Sequence, residues 1–385
     1  MKDLFSNDES SNRGSDCVVP RKGDQPATVA EKGPVRFYEI DLFRFLAALG
    51  VVFFHYTFRG HAAGGRCDVS YAWMGEIFKY GYLGVDLFFI ISGFVILLTA
   101  MNRNATGFAV SRIVRLYPAF WAGMSLTALV TVFLGGDAYS VTLKQYFLNL
   151  PMVGGYFGVK PVDSVYWTLL VELKFYILIG LLLLLGKINH IKVFLGFWLS
   201  LSFAHLFLDF PGPVAWPLIL RWAPYFIAGA FFYLIRREGV SLYKLAGVAT
   251  AYGLSIQYAF LKVPRLEEHY GSDFSELPVF GLITLFYVMM FLVSINKAGA
   301  LVRREWMMLG ALTYPLYLVH QNAGFMVFNA LAGTVPKYAL LGLVIGLMLL
   351  VSYLINRYVE KRMAGPLKKT LLSITSRGSR SKASA

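Results

Sequence analysis

Ile40-Asp41-Leu42-Phe43-Arg44-Phe45-Leu46-Ala47-Ala48-Leu49-Gly50-Val51-Val52-Phe53-Phe54-His55 is an apolar run that carries three ionisable side chains, Asp41, Arg44 and His55. Its length and composition are those of a membrane-crossing helix. Eleven residues of helix rise about 16 Å in about three turns, so Arg44 and His55 fall on nearly the same face. Asp41, three residues before Arg44, joins that stripe. Charge is costly in hydrocarbon, so such a line points to a protein interior or a water-filled cavity.

The rest of the chain repeats the pattern. Of 385 residues, 57% are hydrophobic and only 15% are charged, which excludes an ordinary soluble domain. Apolar stretches near 37–58, 80–101, 118–134, 165–186, 191–208, 214–235, 242–261, 277–296, 307–330 and 338–359 each approach the ~17–25 residues that a spanning helix needs. The expected fold class is an all-α polytopic membrane protein of about ten helices. With the N-terminus inside, the inner loops and tails hold 25 Lys and Arg against 8 in the outer loops; Arg44, Lys174 and Arg221 lie within spans. Basic residues are retained on the cytoplasmic side, so both termini are expected there.

The expected organisation is a disordered cytoplasmic tail over 1–35, a membrane domain over 36–360 and a basic cytoplasmic tail over 361–385. Residues 1–35 lack the apolar core of a signal peptide, and no internal repeat is evident. The net charge of +14 is scattered without an ordered basic module, which argues against nucleic acid and for anionic lipid head groups. Cys17 and Cys67 fall on opposite sides of this topology and are not expected to pair.

Depth sorts the polar residues into two layers. His55, Asp86, Glu172 and Arg221 belong to an outer layer; Asp41, Arg44, Arg112 and Arg115 belong to an inner one. One layer suits an acid/base centre and the other an anion. Structural pairing of Glu172 with Arg221, Asp86 with His55, and Asp41 with Arg44 is the competing reading.

Four further segments carry chemistry. Ser111-Arg112-Ile113-Val114-Arg115-Leu116-Tyr117-Pro118 sets two guanidinium groups three residues apart, fit to grip phosphate and equally fit to anchor the helix at the inner boundary. Gly81 to Phe94 joins small residues suited to helix packing, Gly84, Ser92 and Gly93, to a buried acid, Asp86. Trp167-Thr168-Leu169-Leu170-Val171-Glu172-Leu173-Lys174-Phe175-Tyr176 opens on an interfacial aromatic and then buries a carboxylate. Leu312 to His320 holds a proline, two phenols (Tyr314 and Tyr317) and a mid-membrane imidazole. His205 stands alone on an apolar span and reads as structural.

Together with the Arg44 to His55 stripe, these segments resemble the acyltransferase-3 family of integral membrane acyltransferases that modify cell-surface and secreted carbohydrates. The resemblance covers about residues 36–360, with five elements in the family's order. It implies an acyl group, most often acetyl, carried from cytoplasmic acetyl-CoA to a hydroxyl on the far side of an inner (plasma) membrane. Arg44 and His55 take the places of the family's Arg-x10-His pair, and Arg112 and Arg115 those of its Arg-x-x-Arg pair. The SGNH-type hydrolase domain that some members carry is not expected in the roughly 25 residues beyond the last span.

The implied site has His55 as base, with Glu172 or Asp86 orienting its imidazole, and Arg44, Arg112 and Arg115 holding the acyl-CoA. Asp41, Trp167, Tyr314 and Tyr317 support them. A variant acylates His55 itself. Expected partners are acyl-CoA, a carbohydrate acceptor, the bilayer and polysaccharide biosynthesis machinery, with no metal. The alternative is a transporter or flippase of a polysaccharide precursor or small solute, although the sequence lacks the inverted halves of that class.

Overall fold

The structure, a computed structural model, describes residues 36–383, with side chains to residue 376. The tail expected over 1–35, with Cys17, lies outside the described residues. Among those described, every regular element is a helix. Seven helical stretches are long and apolar enough to cross a membrane: Tyr38–Ala62, Ala72–Ala100, Ala105–Leu134, Ser164–Leu184, Ile188–Leu208, Glu276–Ser294 and Lys337–Ser376. Backbone groups in hydrocarbon must be paired within the chain, which helices do. The protein is thus an integral membrane protein.

We label the principal helices α1 (Tyr38–Phe53), α2 (Gly84–Ala100), α3 (Ala105–Leu134), α4 (Trp167–Leu184), α5 (Ile191–Leu208), α6 (Ala223–Glu238), α7 (Leu242–Phe260), α8 (Val263–Tyr270), α9 (Glu276–Ser294), α10 (Trp306–Val319), α11 (Asn322–Leu331), α12 (Lys337–Leu354) and α13 (Lys361–Ala383).

Three of the ten expected spans are not among the seven, each for a local reason. In the stretch 214–235, a single helical turn, Gly212–Ala215, is cut off from the long helix that starts at Ala223, because residues 216–222 form turns around Ile219 at φ 46°. The resulting α6 is short but buried along nearly its whole length, as expected of a helix at the centre of a bundle. The stretch 242–261 folds as α7, whose Lys244, Ser255 and Gln257 dilute its apolarity. The stretch 307–330 breaks at His320 and Gln321 into α10 and α11. The span expected at 118–134 begins earlier, at Ala105, capped by the Asn104 side chain on the Gly107 amide at 2.8 Å. Arg112 and Arg115 therefore ride inside a helix. The expected basic tail continues as α13.

Two glycines hold α2 and α6 together. A Cβ on Gly93 would strike the Phe226 carbonyl, and one on Gly229 the Ile90 carbonyl; small residues permit such close helix approach. Gly310 on α10 likewise has no room for a Cβ beside the Asp41 carboxyl on α1. These approaches draw α1, α2, α6 and α10 around the polar interior.

α1 does not end as an α-helix. Phe54–Arg59 continues it as a π-helix, and a second π segment, Ile355–Glu360, follows α12. Wide turns of this kind are rare and recur at functional sites. One carries His55 and the other Glu360.

Candidate active site

His55 sits in the first turn of the π segment and is 6% exposed. Its Nδ1 lies 2.8 Å from the Val51 carbonyl and 3.1 Å from Nε2 of His320. His320, fully buried at the α10–α11 break, places its own Nδ1 2.9 Å from the Tyr317 carbonyl and 3.2 Å from that of Leu316. Carbonyls only accept, so Nδ1 of each ring carries the proton. The single Nδ1 proton of His55 is then shared between the Val51 carbonyl and Nε2 of His320. By elimination, Nε2 of His55 keeps its lone pair.

The break that positions His320 is tied down by Asp163, in the loop before α4. Its Oδ2 accepts from the Asn322 amide at 2.8 Å and its Oδ1 from the Val165 amide at 3.2 Å. The Gln321 amide donates to the Ser164 hydroxyl at 2.5 Å. Burial pushes the Asp163 carboxyl up to about 6, against the pull of those two amides. Arg59, closing the π segment, is close enough to interact electrostatically with His55, His320 and Asp163.

A cavity of about 190 Å³ opens on the other side of Tyr317. Arg44, Arg112 and Arg115 line it at one end, with Glu172, Tyr314 and Tyr317. Glu172 Oε1 accepts from the Ser92 hydroxyl at 2.7 Å. The guanidinium groups of Arg112 and Arg115 lie over the rings of Tyr176 and Tyr314 at 5.8 and 5.5 Å. Tyr317 donates or accepts at the Thr168 hydroxyl, 2.8 Å away, and its ring is 5.6 Å from that of His320. The cavity thus ends one ring short of the imidazole pair.

Arg112 and Arg115 also line a groove of about 420 Å³ with Arg103, Lys361 and Lys368. Glu360 pairs with Arg115 at 2.9 Å and is braced by Asn356 at 2.6 Å. Groove and cavity therefore share their two arginines. The cavity is below the ~300 Å³ at which a site encloses a drug-sized ligand, so it suits a narrow arm, whereas the basic groove suits a phosphorylated head.

Of the residues singled out in the sequence, Arg44, Arg112, Arg115, Glu172, Tyr314 and Tyr317 share this cavity. Asp41 packs against Gly310 beside it. Asp86 and Trp167 line a separate cavity at the opposite end of the bundle, together with Arg221 and His205. His205, expected to be structural, also accepts from the Phe210 amide at 3.0 Å. Among the described residues no ion pair joins Glu172 to Arg221 or Asp86 to His55. Neither carboxylate is a hydrogen-bond partner of His55; that place belongs to His320. Sequence reading noticed His320 as a mid-membrane imidazole without giving it a role, and passed over Arg59 and Asp163. Arg59, one turn beyond His55, was open to detection by spacing. Among the described residues no cluster of three His, Cys, Asp or Glu could hold a metal.

A family model described as an acyltransferase domain matches residues 37–357. The chain is 28% identical over 162 residues to nodulation protein 10 of Rhizobium leguminosarum bv. viciae, a match covering 37% of this chain and 43% of that protein. It is 23% identical over 256 residues to a protein of Acidianus two-tailed virus that carries the name acetyltransferase ORF330, covering 64% and 74% respectively. It is also 32% identical over 147 residues to an uncharacterised Haemophilus influenzae protein, covering 33% and 60%. The match thus spans less than half the length of the Rhizobium relative. No solved structure matches the chain.

Proposed function

The chain belongs to the acyltransferase-3 family, and from that membership we propose that it is a membrane-embedded O-acyltransferase. It moves an acyl group, acetyl by the name of one relative, from acyl-CoA to a hydroxyl of a carbohydrate (polysaccharide, lipopolysaccharide or lipo-oligosaccharide) on the far side of an inner membrane. The termini and the groove face the cytoplasm. The observation that carries this reading is the imidazole pair set one ring, that of Tyr317, beyond an arginine-lined cavity.

The acyl donor enters by the basic groove. Arg112 and Arg115 hold its phosphates as charge-assisted, bidentate donors. The pantetheine arm passes between them and Arg44, along the narrow cavity, and brings the thioester past Tyr317 to His55. Depth makes this geometry necessary, since Arg44 and His55 are separated by about 16 Å of helix and an arm of pantetheine length has to cover it.

His55 Nε2 removes the proton of the acceptor hydroxyl, and the oxygen attacks the thioester carbonyl. As the imidazole becomes cationic, its Nδ1 proton is held by His320 Nε2, so His320 positions the ring and shares the charge. Arg59 faces the oxyanion that forms on the carbonyl oxygen. Collapse breaks the C–S bond, and the proton on His55 passes to the departing thiolate. Glu172, Asp86 and the tyrosines act on the substrates' approach rather than on the ring.

Reconstituted protein supplied with acetyl-CoA labelled in the acetyl group, and with candidate glycans, should release CoA and transfer label to carbohydrate. Movement of a glycan or solute without consumption of acetyl-CoA would overturn the enzyme reading in favour of transport.

A further inference from the structure

At the opposite end of the bundle from the basic groove lies a cavity of about 640 Å³, larger than the other two. It is built where α8, the turns before α6, and the starts of α2 and α4 converge. Three cations line it, Lys262, Arg265 and Arg221. Among the described residues none of them has a carboxylate within ion-pair distance, and Asp86 of the same wall acts on Lys262 only electrostatically, from farther away. Lys262 instead lies 4.4 Å from the centre of the Tyr82 ring.

Tyr82 supplies a second, independent sign. Its side chain lines this cavity and is only 7% exposed, yet its hydroxyl has no hydrogen-bond partner among the described residues. A buried hydroxyl left unpaired is destabilising, a cost that a ligand hydroxyl would remove. The wall also carries two indole rings, Trp167 and Trp222, whose centres are 5.6 Å apart. Flat apolar faces of this kind stack on the C–H face of a pyranose. Two carboxylates, Asp86 and Asp209, complete the lining, as acceptors for sugar hydroxyls.

We propose that this cavity binds an acidic saccharide, one that carries carboxylates, as the acceptor of the acyl transfer. The inference rests on the acyltransferase reading and names its substrate class. The cations take the carboxylates, the Tyr82 hydroxyl takes a sugar hydroxyl and the indoles take a ring face. A phospholipid head group satisfies the cations but leaves Asp209 and the indoles without a role. Two packed rings separate the cavity from the chemistry: the Tyr82 ring packs 5.8 Å from that of Phe54, which packs 5.1 Å from His55. An acceptor seated here projects its neighbouring residue toward the imidazole.

Calorimetric titration of the full chain in detergent with trigalacturonate, with cellotriose as the neutral counterpart, tests this. Trigalacturonate should bind at least tenfold more tightly than cellotriose, and K262Q together with R265Q should remove most of that difference. Y82F should weaken binding severalfold while leaving thermal stability equal or higher, because the hydroxyl it removes has no partner among the described residues. Equal binding of the two sugars, no binding of trigalacturonate, unchanged affinity in both variants, or full displacement by dihexanoyl phosphatidylglycerol would each overturn the proposal. Acetyl-CoA titrated into the same preparation separates the two readings. Donor binding without sugar binding refutes only the acidic acceptor, whereas loss of donor binding refutes the acyltransferase reading.

Discussion

Nε2 of His320 accepts a hydrogen bond from Nδ1 of His55 across 3.1 Å, although the two residues are 265 positions apart in the chain. In the proposed transfer this contact gives His320 the task that a carboxylate performs in a nucleophile–histidine–acid triad. H55A should reduce transfer to background. H320A should lower kcat by about 10²-fold, within the range for losing support of a general base, with KM for acetyl-CoA within about twofold of wild type. H320Q, which keeps an acceptor, should retain more activity than H320A. Release of CoA read with a thiol reagent measures all three, and a full kcat in H320A would remove His320 from the mechanism.

Glu360 competes for Arg115 with any phosphate in the groove. R112Q should raise KM for acetyl-CoA by about 10- to 100-fold, the equivalent of one charged hydrogen bond at ~1.5–3 kcal/mol. E360Q should do the reverse and lower it, because it frees a guanidinium. A KM that rises in E360Q would mean that the ion pair positions Arg115 rather than occupying it.

The α2–α6 crossing leaves no volume for a side chain at Gly229, where a Cβ would meet the Ile90 carbonyl. G229A should destabilise the protein by about 1–3 kcal/mol, as overpacking does. Gly253, on α7, has open space around it, so G253A should be neutral or slightly stabilising through helix propensity. Thermal unfolding in detergent compares the two, and equal melting temperatures would be inconsistent with a rigid crossing.

Asp163 makes stability depend on pH in a defined direction. Burial raises its carboxyl from 3.8 to about 6 in the folded protein, so between about pH 4 and 6 the native state binds more protons than the unfolded one. Stability contributed by this group therefore falls as pH rises through that window and levels off above it. A shift of about two units corresponds to roughly 3 kcal/mol. D163N should flatten the window in a plot of melting temperature against pH. It should also slow transfer, since one of the amides at Val165 and Asn322 loses its acceptor and the turn that holds His320 loosens.

Much of the arginine cluster was legible from spacing alone. Arg112 and Arg115, one helical turn apart, reach both the groove and the narrow cavity, and Arg44 joins them in the cavity because α1 keeps its α-helical register that far. Depth was harder to convert into contact. His55, Asp86 and Glu172 were assigned one layer, yet α2 and α4 face two ways: Ser92 and Glu172 turn toward the arginine-lined cavity, whereas Asp86 and Trp167 turn toward the opposite one. A turn of helix separates these directions by only a few residues, and hydropathy does not record which neighbour each face meets.

The sequence by itself determined the membrane bundle, its basic groove and the imidazole in the first helix. These follow from local sums of apolarity and charge, which the chain carries whatever its tertiary packing. Tertiary structure alone decided that His55 pairs with His320. That pairing depends on a π turn at 54–59, a helix break at 320–321 and an Asp163 clamp from a distant loop. A hydrogen bond tolerates only a few tenths of an ångström, and such placement comes from how helices cross, not from the order of residues along any one of them.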